Sequence, residues 1–226
     1  MQAIARGFPQ RLAHGLRGLD NRELAPEAIP AMVAAVNATD TYTGGHSHRV
    51  AKCVVSLARL MGTSALEQDF IRQVAVIHDI GKIGIPNEVL VKRGRLSEEE
   101  MNLIRLHSVL GASILSRMAG MKRMVPIVLH HHERWDGSGY PSGLAHVDIP
   151  IESRIIFVAD AFDAMTTVRT YGRVYTTEEA LAELRAHSGR QFDPLLVDVM
   201  HEAYRHGALD EMSGYVDLPR SKHLSL

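Results

Sequence analysis

Apolar residues recur every three to four positions through most of the 226-residue chain, a period that predicts helices rather than strands. Ile29, Met32, Val33 and Val36 predict a helix over 27–38. After a turn from Thr39 to Gly45, Val50, Cys53, Leu57 and Leu60 form the inner face of a helix starting near His46. Leu66, Phe70, Val74 and Ile77 predict a third over 64–79, which Gly81, Gly84 and Pro86 end. Ser97-Glu98-Glu99-Glu100 reads as a capping box opening a long helix to about Met118. A helix over 121–132 is followed by a Gly- and Pro-rich loop over 133–150, whose aromatics imply that it folds back on the body. Pro150 opens a helix to about 168 through Ile155, Ile156, Ala159, Phe162 and Met165, and two more follow near 177–187 and 194–206. No segment alternates with period two and no repeat is visible, so the expected fold is all-α, a single helical bundle over 27–206. Residues 1–26 form a lead-in and 207–226 a polar tail.

Polar residues at positions that the period turns inward change this picture. His46 lies one turn before Val50, His107 shares a face with Ile104 and Gly111, and Asp160 follows Ile156 by one turn. His78-Asp79 closes the third helix, with Gly81 read as a sharp turn and Lys82 bringing a cation to the same place. His130-His131-His132-Glu133 ends the fifth. One inward histidine is as readily a packed residue as a ligand, but the same choice on several successive helices favours a metal. An inward carboxylate needs a cation, and Asp163 is read as a helper of Asp160 or a cap. Nitrogen and oxygen donors without thiolate suit iron or manganese, with zinc or nickel as alternatives. Seven such side chains, His46, His78, Asp79, His107, His131, His132 and Asp160, exceed what one open catalytic metal takes. They suit two divalent metal ions sharing Asp79, which lower the pKa of a water between them for in-line attack at phosphorus. Lys82 would then neutralise a phosphate oxygen.

Composition adds exclusions. The formal charge of −1 implies no bulk attraction to a nucleic acid polymer or a membrane surface. Cys53 is the single cysteine, which excludes an internal disulfide and fits a cytoplasmic setting. No apolar run is long enough to span a membrane. Arg6, Arg11 and Arg17 stand without the apolar stretch of a secretory signal.

His78-Asp79-x-Gly81-Lys82, together with His131-His132-Glu133-x-Trp135-Asp136-Gly137-x-Gly139-Tyr140-Pro141, resembles the HD-GYP domain family, a branch of the HD metal-dependent phosphohydrolases. Asp40-x-Tyr42-Thr43-x-x-His46, Val158 to Met165 and Gln191-Phe192-Asp193-Pro194 extend the resemblance over about 28–205. It implies an HD-type bundle with a Gly-Tyr-Pro loop and metal ligands at His46, His78, Asp79, His107, His131, His132 and Asp160, leaving His130 structural. It also implies hydrolysis of cyclic di-GMP to the linear dinucleotide pGpG, and in some members to GMP. Substrate contacts would come from Lys82, Arg169, Arg173 and Tyr140, and the loop formed by Gly139, Tyr140 and Pro141 could dock signalling proteins. Two positions depart from the family pattern. Gly172 replaces a second basic residue after Arg169, with Arg173 next door, and Tyr42 stands where some members carry a glutamate. The second departure bears on metal number and, with a phenol that ionises only near about 10, favours two ions. Two alternatives stay open: an HD-type phosphohydrolase of another nucleotide, and a signalling module that keeps the fold and binds partners.

Overall fold

The structure is a computed structural model, and it describes residues 28–39, 45–167 and 173–209. Among them the order is α1 (Ala28–Thr39), α2 (His46–Leu60), α3 (Ala65–Ile77), a 3-10 turn (Ile80–Gly84), α4 (Asn87–Leu90), α5 (Glu98–Ser116), α6 (Met124–Leu129), a 3-10 turn (His146–Asp148), α7 (Ile151–Thr166), α8 (Thr177–Ala186) and α9 (Pro194–Arg205). No strand occurs among the described residues, so the fold is all-helical. None of its helices is long and apolar enough to cross a membrane.

The helix starts have local causes. Ser64 and Glu67 form a capping box at α3, as do Ser97 and Glu100 at α5 and Thr176 and Glu179 at α8. Asp193 accepts from the Leu195 amide and Pro194 takes the first helical position of α9, where no amide donor is needed. α2 is the central element. Val50, Cys53, Val54, Leu57 and Ala58 are fully buried on it, and it packs against α3, α7 and α9. α5 lies across the Ile80–Gly84 turn and α6.

Three expectations change. The helix expected over 121–132 is only Met124–Leu129, so His130, His131 and His132 lie in the turn after it. The helix over 64–79 likewise stops at Ile77, and His78 and Asp79 occupy the bend into the 3-10 turn. Third, the glycine at Gly81 serves proximity rather than a sharp turn. A Cβ there would lie 1.8 Å from the His107 carbonyl oxygen and 2.5 Å from the Gly111 amide nitrogen. Gly81 and Gly111 therefore let the turn carrying Asp79 touch the backbone of the helix carrying His107. Short α4 was not anticipated; four residues are too few to show a period.

Candidate metal centre

Five helix ends or faces converge here, from α2, α3, α5, α6 and α7. His46 is the first residue of α2, following Gly45 in the left-handed region (φ 86°). His78 and Asp79 follow α3, His107 sits mid-α5 one turn before Gly111, and His131 and His132 follow α6. All but His132 are buried. One ligand atom each from Asp79, His107, His131 and His132 lies within 4.8 Å of the others, and the same holds for His46, His78 and Asp79. Asp79 belongs to both groups. Its Oδ1 is 3.3 Å from His107 Nε2 and 4.0 Å from His131 Nε2, and its Oδ2 is 3.5 Å from His78 Nε2 and 2.7 Å from Lys82 Nζ. Asp160 on α7 joins through its Oδ1, 3.3 Å from His46 Nε2.

One local device aims three of the rings. His78 Nδ1 is 2.7 Å from the Ala75 carbonyl, His107 Nδ1 2.7 Å from that of Ile104, and His131 Nδ1 2.6 Å from that of Val128. A carbonyl only accepts, so each Nδ1 carries the proton and each Nε2 turns a lone pair inward. The consequence is a test of fit. His107 Nε2 and His131 Nε2 stand 3.2 Å apart, and His78 Nε2 is buried without a hydrogen-bond partner. Lone pairs at that separation repel unless a proton or a cation lies between them. A proton is disfavoured: burial lowers the pKa of His107 against the pull of Asp79, and burial with His132 and His107 alongside pushes His131 well below its usual value. Burial, helped by His107, brings His132 down to about 3. Neutral imidazoles and a carboxylate directed at one another are the donor set of a divalent cation, so the residues fit the metal centre implied by the sequence.

His46 behaves differently. Its Nδ1 lies 2.7 Å from Asp163 Oδ2, while its Nε2 faces Asp160. Burial opposes its charge, but hydrogen bonds to Asp160 and Asp163 outweigh that and raise it to about 9. A proton thus sits on His46 where a cation would otherwise. Burial would raise the Asp160 carboxyl, yet the His46 hydrogen bond brings it below the ordinary range. Asp163 is fully buried and is held in turn by Arg49, whose Nε lies 2.7 Å from Oδ1 and whose NH2 group lies 3.1 Å from Oδ2. This carboxylate–histidine pairing orients a ligand from behind. Sequence reasoning offered Asp163 as a helper of Asp160. The helped residue is His46, and the signals were the Asp160-x-x-Asp163 and His46-x-x-Arg49 spacings, each one helical turn.

The Gly-Tyr-Pro loop closes one side. Tyr140 stacks on His132 with ring centroids 5.0 Å apart, and the Arg105 guanidinium lies 5.7 Å from the Tyr140 ring centre. Gly139 is pressed onto the backbone of His132, Glu133 and Arg134, where a Cβ would come within 2.3 Å of the Arg134 nitrogen. The Tyr140–Pro141 peptide is cis. Trp135 and Asp136 donate backbone hydrogen bonds to the carbonyls of Gln191 and Arg190, so the loop does fold back on the body. His130 lies 3.4 Å from buried Glu133, a loop-anchoring contact. Arg173 pairs with Glu179 and lies over Tyr175, neither of which belongs to the cluster. Asp40, Tyr42, Arg169 and Gly172 lie outside the described residues.

Comparison with known proteins agrees with this geometry. The chain is 39% identical over 200 residues to the cyclic di-GMP phosphodiesterase response regulator RpfG of Xanthomonas campestris pv. campestris, covering 87% of this chain and 52% of the relative. It is 40% identical over 186 residues to 3'3'-cGAMP-specific phosphodiesterase 2 of Vibrio cholerae, covering 81% and 36%. It is 42% identical over 161 residues to a cyclic di-GMP phosphodiesterase of Thermotoga maritima, covering 70% and 44%. The chain thus spans about half or less of the length of these relatives. Among solved structures, a cyclic GMP-AMP phosphodiesterase of V. cholerae superposes with a TM-score of 0.62 at 20% identity, over 82% of this chain and 51% of that one. An HDG"Y"P protein of Bdellovibrio bacteriovorus gives 0.59 at 18%, over 89% and 70%. At such identities the two structures speak for the fold alone. A family model described as HD domain matches residues 30–196. That match runs from α1 into α9 through every element that brings a histidine or aspartate to the cluster, and the chain belongs to the HD domain family.

Proposed function

We propose that the chain is a metal-dependent phosphodiesterase that opens cyclic di-GMP to the linear dinucleotide pGpG. The observation that carries this reading is Asp79, whose two oxygens face separate histidine groups, His107 and His131 on one side and His78 on the other. A carboxylate so placed is suited to bridge two cations. His46, His78, Asp79, His107, His131, His132 and Asp160 would hold them, iron or manganese being favoured by the nitrogen–oxygen donor set. Bound there, two cations supply Lewis acidity that makes water a nucleophile near neutral pH and withdraws charge from phosphorus. The chain does the rest. The carbonyls of Ala75, Ile104 and Val128 keep the imidazoles in the ligating tautomer. Lys82, beside Asp79, offers a cation to a non-bridging phosphate oxygen. Tyr140, raised above its usual pKa by burial, stays a neutral phenol over His132 and can stack or donate a hydrogen bond. The substrate class is supported by the names of the relatives, which act on cyclic di-GMP or 3'3'-cGAMP. The likeness to the 3'3'-cGAMP-specific enzyme makes that dinucleotide the second substrate to try. A role of the loop in docking signalling proteins is an additional proposal, resting on the family resemblance alone.

The test is metal analysis of protein purified without chelator, paired with turnover of both dinucleotides by the wild type and by Asp79→Ala. The wild type should carry close to two ions and turn over at least one dinucleotide. Asp79→Ala should lose most metal and all turnover. A variant with full metal and full activity would refute the bridging role. A metal-loaded wild type inert toward both dinucleotides would refute the substrate class.

A further inference from the structure

Next to the metal centre lies a cavity that Asp160 lines in part. It has a volume of about 360 Å³, within the range of small-molecule sites. Its floor is one continuous stripe of α7, Phe157, Asp160, Ala161, Ala164 and Met165, and among the described residues no helix covers it completely: all five are partly exposed. Ala161 and Ala164 keep that floor flat. Phe157 and Phe192 stand at one end with ring centroids 5.3 Å apart, and Phe157 also meets the His132 ring at 6.0 Å. The cavity therefore adjoins the metal centre: Asp160 lines it, and Phe157 of its wall touches the His132 ring.

The far wall is polar. Glu183 of α8, His187 and Gln191 line it. Glu183 Oε1 lies 3.1 Å from His187 Nε2, and Gln191 accepts a hydrogen bond from Arg134 at 3.0 Å. A floor that is apolar except for Asp160 at its metal-centre end, with aromatic edges and the Glu183 carboxylate opposite, is the chemistry of a planar heterocycle that carries adjacent N–H donors. Guanine presents such an edge, its ring N–H beside its exocyclic amine. Adenine has no ring N–H there and places an acceptor where guanine has a donor.

We propose that this cavity binds one guanine base of the substrate, with Glu183 accepting from the guanine N–H edge and α7 stacking beneath it. The inference rests on the reading of the chain as a cyclic-dinucleotide phosphodiesterase and adds its base selectivity. A single guanine-reading cavity admits cyclic di-GMP and 3'3'-cGAMP alike, since each carries at least one guanine. It rejects cyclic di-AMP, which leaves the carboxylate facing a lone pair.

The test uses the full metal-loaded chain as wild type, Glu183→Gln and Glu183→Ala. The first reading is the ratio of kcat/KM for cyclic di-GMP to that for cyclic di-AMP. The second is the ratio of the inhibition constants of AMP and GMP against hydrolysis of bis(p-nitrophenyl) phosphate, a diester without a base. Both are ratios within one sample, so partial loss of metal or folded protein cancels. The wild type should favour guanine, and both variants should reduce that preference by roughly 10- to 100-fold, the worth of one bidentate carboxylate contact to a base edge. The glutamine variant should fail like the alanine one, because its amide places a donor against a donor. Filling the floor with Ala164→Leu should raise KM for cyclic di-GMP relative to that for the p-nitrophenyl diester. A wild type without guanine preference, or variants that retain it, would overturn the base site and leave the phosphodiesterase reading standing. A wild type active only on the p-nitrophenyl diester would overturn the substrate reading instead. The GMP and AMP constants would then decide the cavity by themselves, equal inhibition counting against it.

Discussion

Replacing Gly81 with alanine probes the contact on which the metal centre is built. The added Cβ would lie 1.8 Å from the His107 carbonyl oxygen, 2.8 Å from the His107 carbonyl carbon and 2.5 Å from the Gly111 nitrogen. All three are backbone atoms in the middle of α5, so no side chain can swing aside. Ordinary van der Waals contact begins near 3.4 Å, and the turn and helix must part by roughly 1.5 Å to reach it. Overpacking of this kind costs about 3 kcal/mol. The entropy lost from the unfolded chain returns less than about 1 kcal/mol of that. The urea midpoint of the metal-free protein should fall by about 1 M. The same displacement carries His107 away from Asp79 and His131, from which it now stands 3.3 and 3.2 Å. Such sites tolerate only about 0.5 Å, so bound metal should fall as well. Gly84→Ala is the control. Its Cβ would meet only the Leu110 side chain, at 2.8 Å, and a methyl group can rotate away, so the cost should stay under about 1 kcal/mol. Urea titration and elemental analysis of the two variants check this. A Gly81→Ala protein with the wild-type midpoint and full metal would refute the reasoning.

Three further outcomes follow from the geometry. Asp163→Asn removes the charge behind His46 and leaves Arg49 without its carboxylate, so metal affinity should fall about 10- to 100-fold in competition with a chelator, and an unchanged affinity would remove Asp163 from the site. Lys82→Ala should keep its metal and lose rate, measured as kcat per metal-loaded site, and loss of metal with an unchanged rate per loaded site would contradict its role at the phosphate. Third, the metal-free protein should be most stable near neutral pH. The lowered pKa values of His107, His131 and His132 give stability that is full above 6.5 and declines as the pH falls, for His132 down to about 3, whereas raised His46 gives stability that is full below 6.5 and lost as the pH rises through about 9. Urea midpoints that do not fall between pH 7 and pH 5 would contradict the neutral, buried histidines.

The helices were legible because each buries one stripe against the same core, and that burial writes a period into the residues themselves. The period also marked His46, His107 and Asp160 as inward; the structure brings His46, His78, Asp79, His107, His131 and His132 within reach of one another in two groups sharing Asp79, with Asp160 3.3 Å from His46. Their grouping in space rests on α2, α3, α5, α6 and α7 meeting at one place, which no local pattern records. The exact ends of α3 and α6 were misjudged for a related reason. His78, His131 and His132 follow apolar residues that continue the helical period, and the period alone does not show that the chain leaves the helix before them.

Other features belong to the tertiary structure alone. The reason for Gly81 lies on another helix, in the backbone of His107 and Gly111, so its residue type was visible and its purpose was not. The pairing of Asp163 with His46 joins residues 117 apart in the chain, and the sequence could say only that Asp163 shared a face with Asp160. The cavity beside Asp160 left no signal, because Phe157, Ala161, Ala164 and Met165 carry the same apolar period as core residues. A period reports that a face avoids water, not whether a neighbouring helix or a ligand covers it. That distinction depends on where α8 and α9 come to rest, and only the packing of the whole bundle decides it.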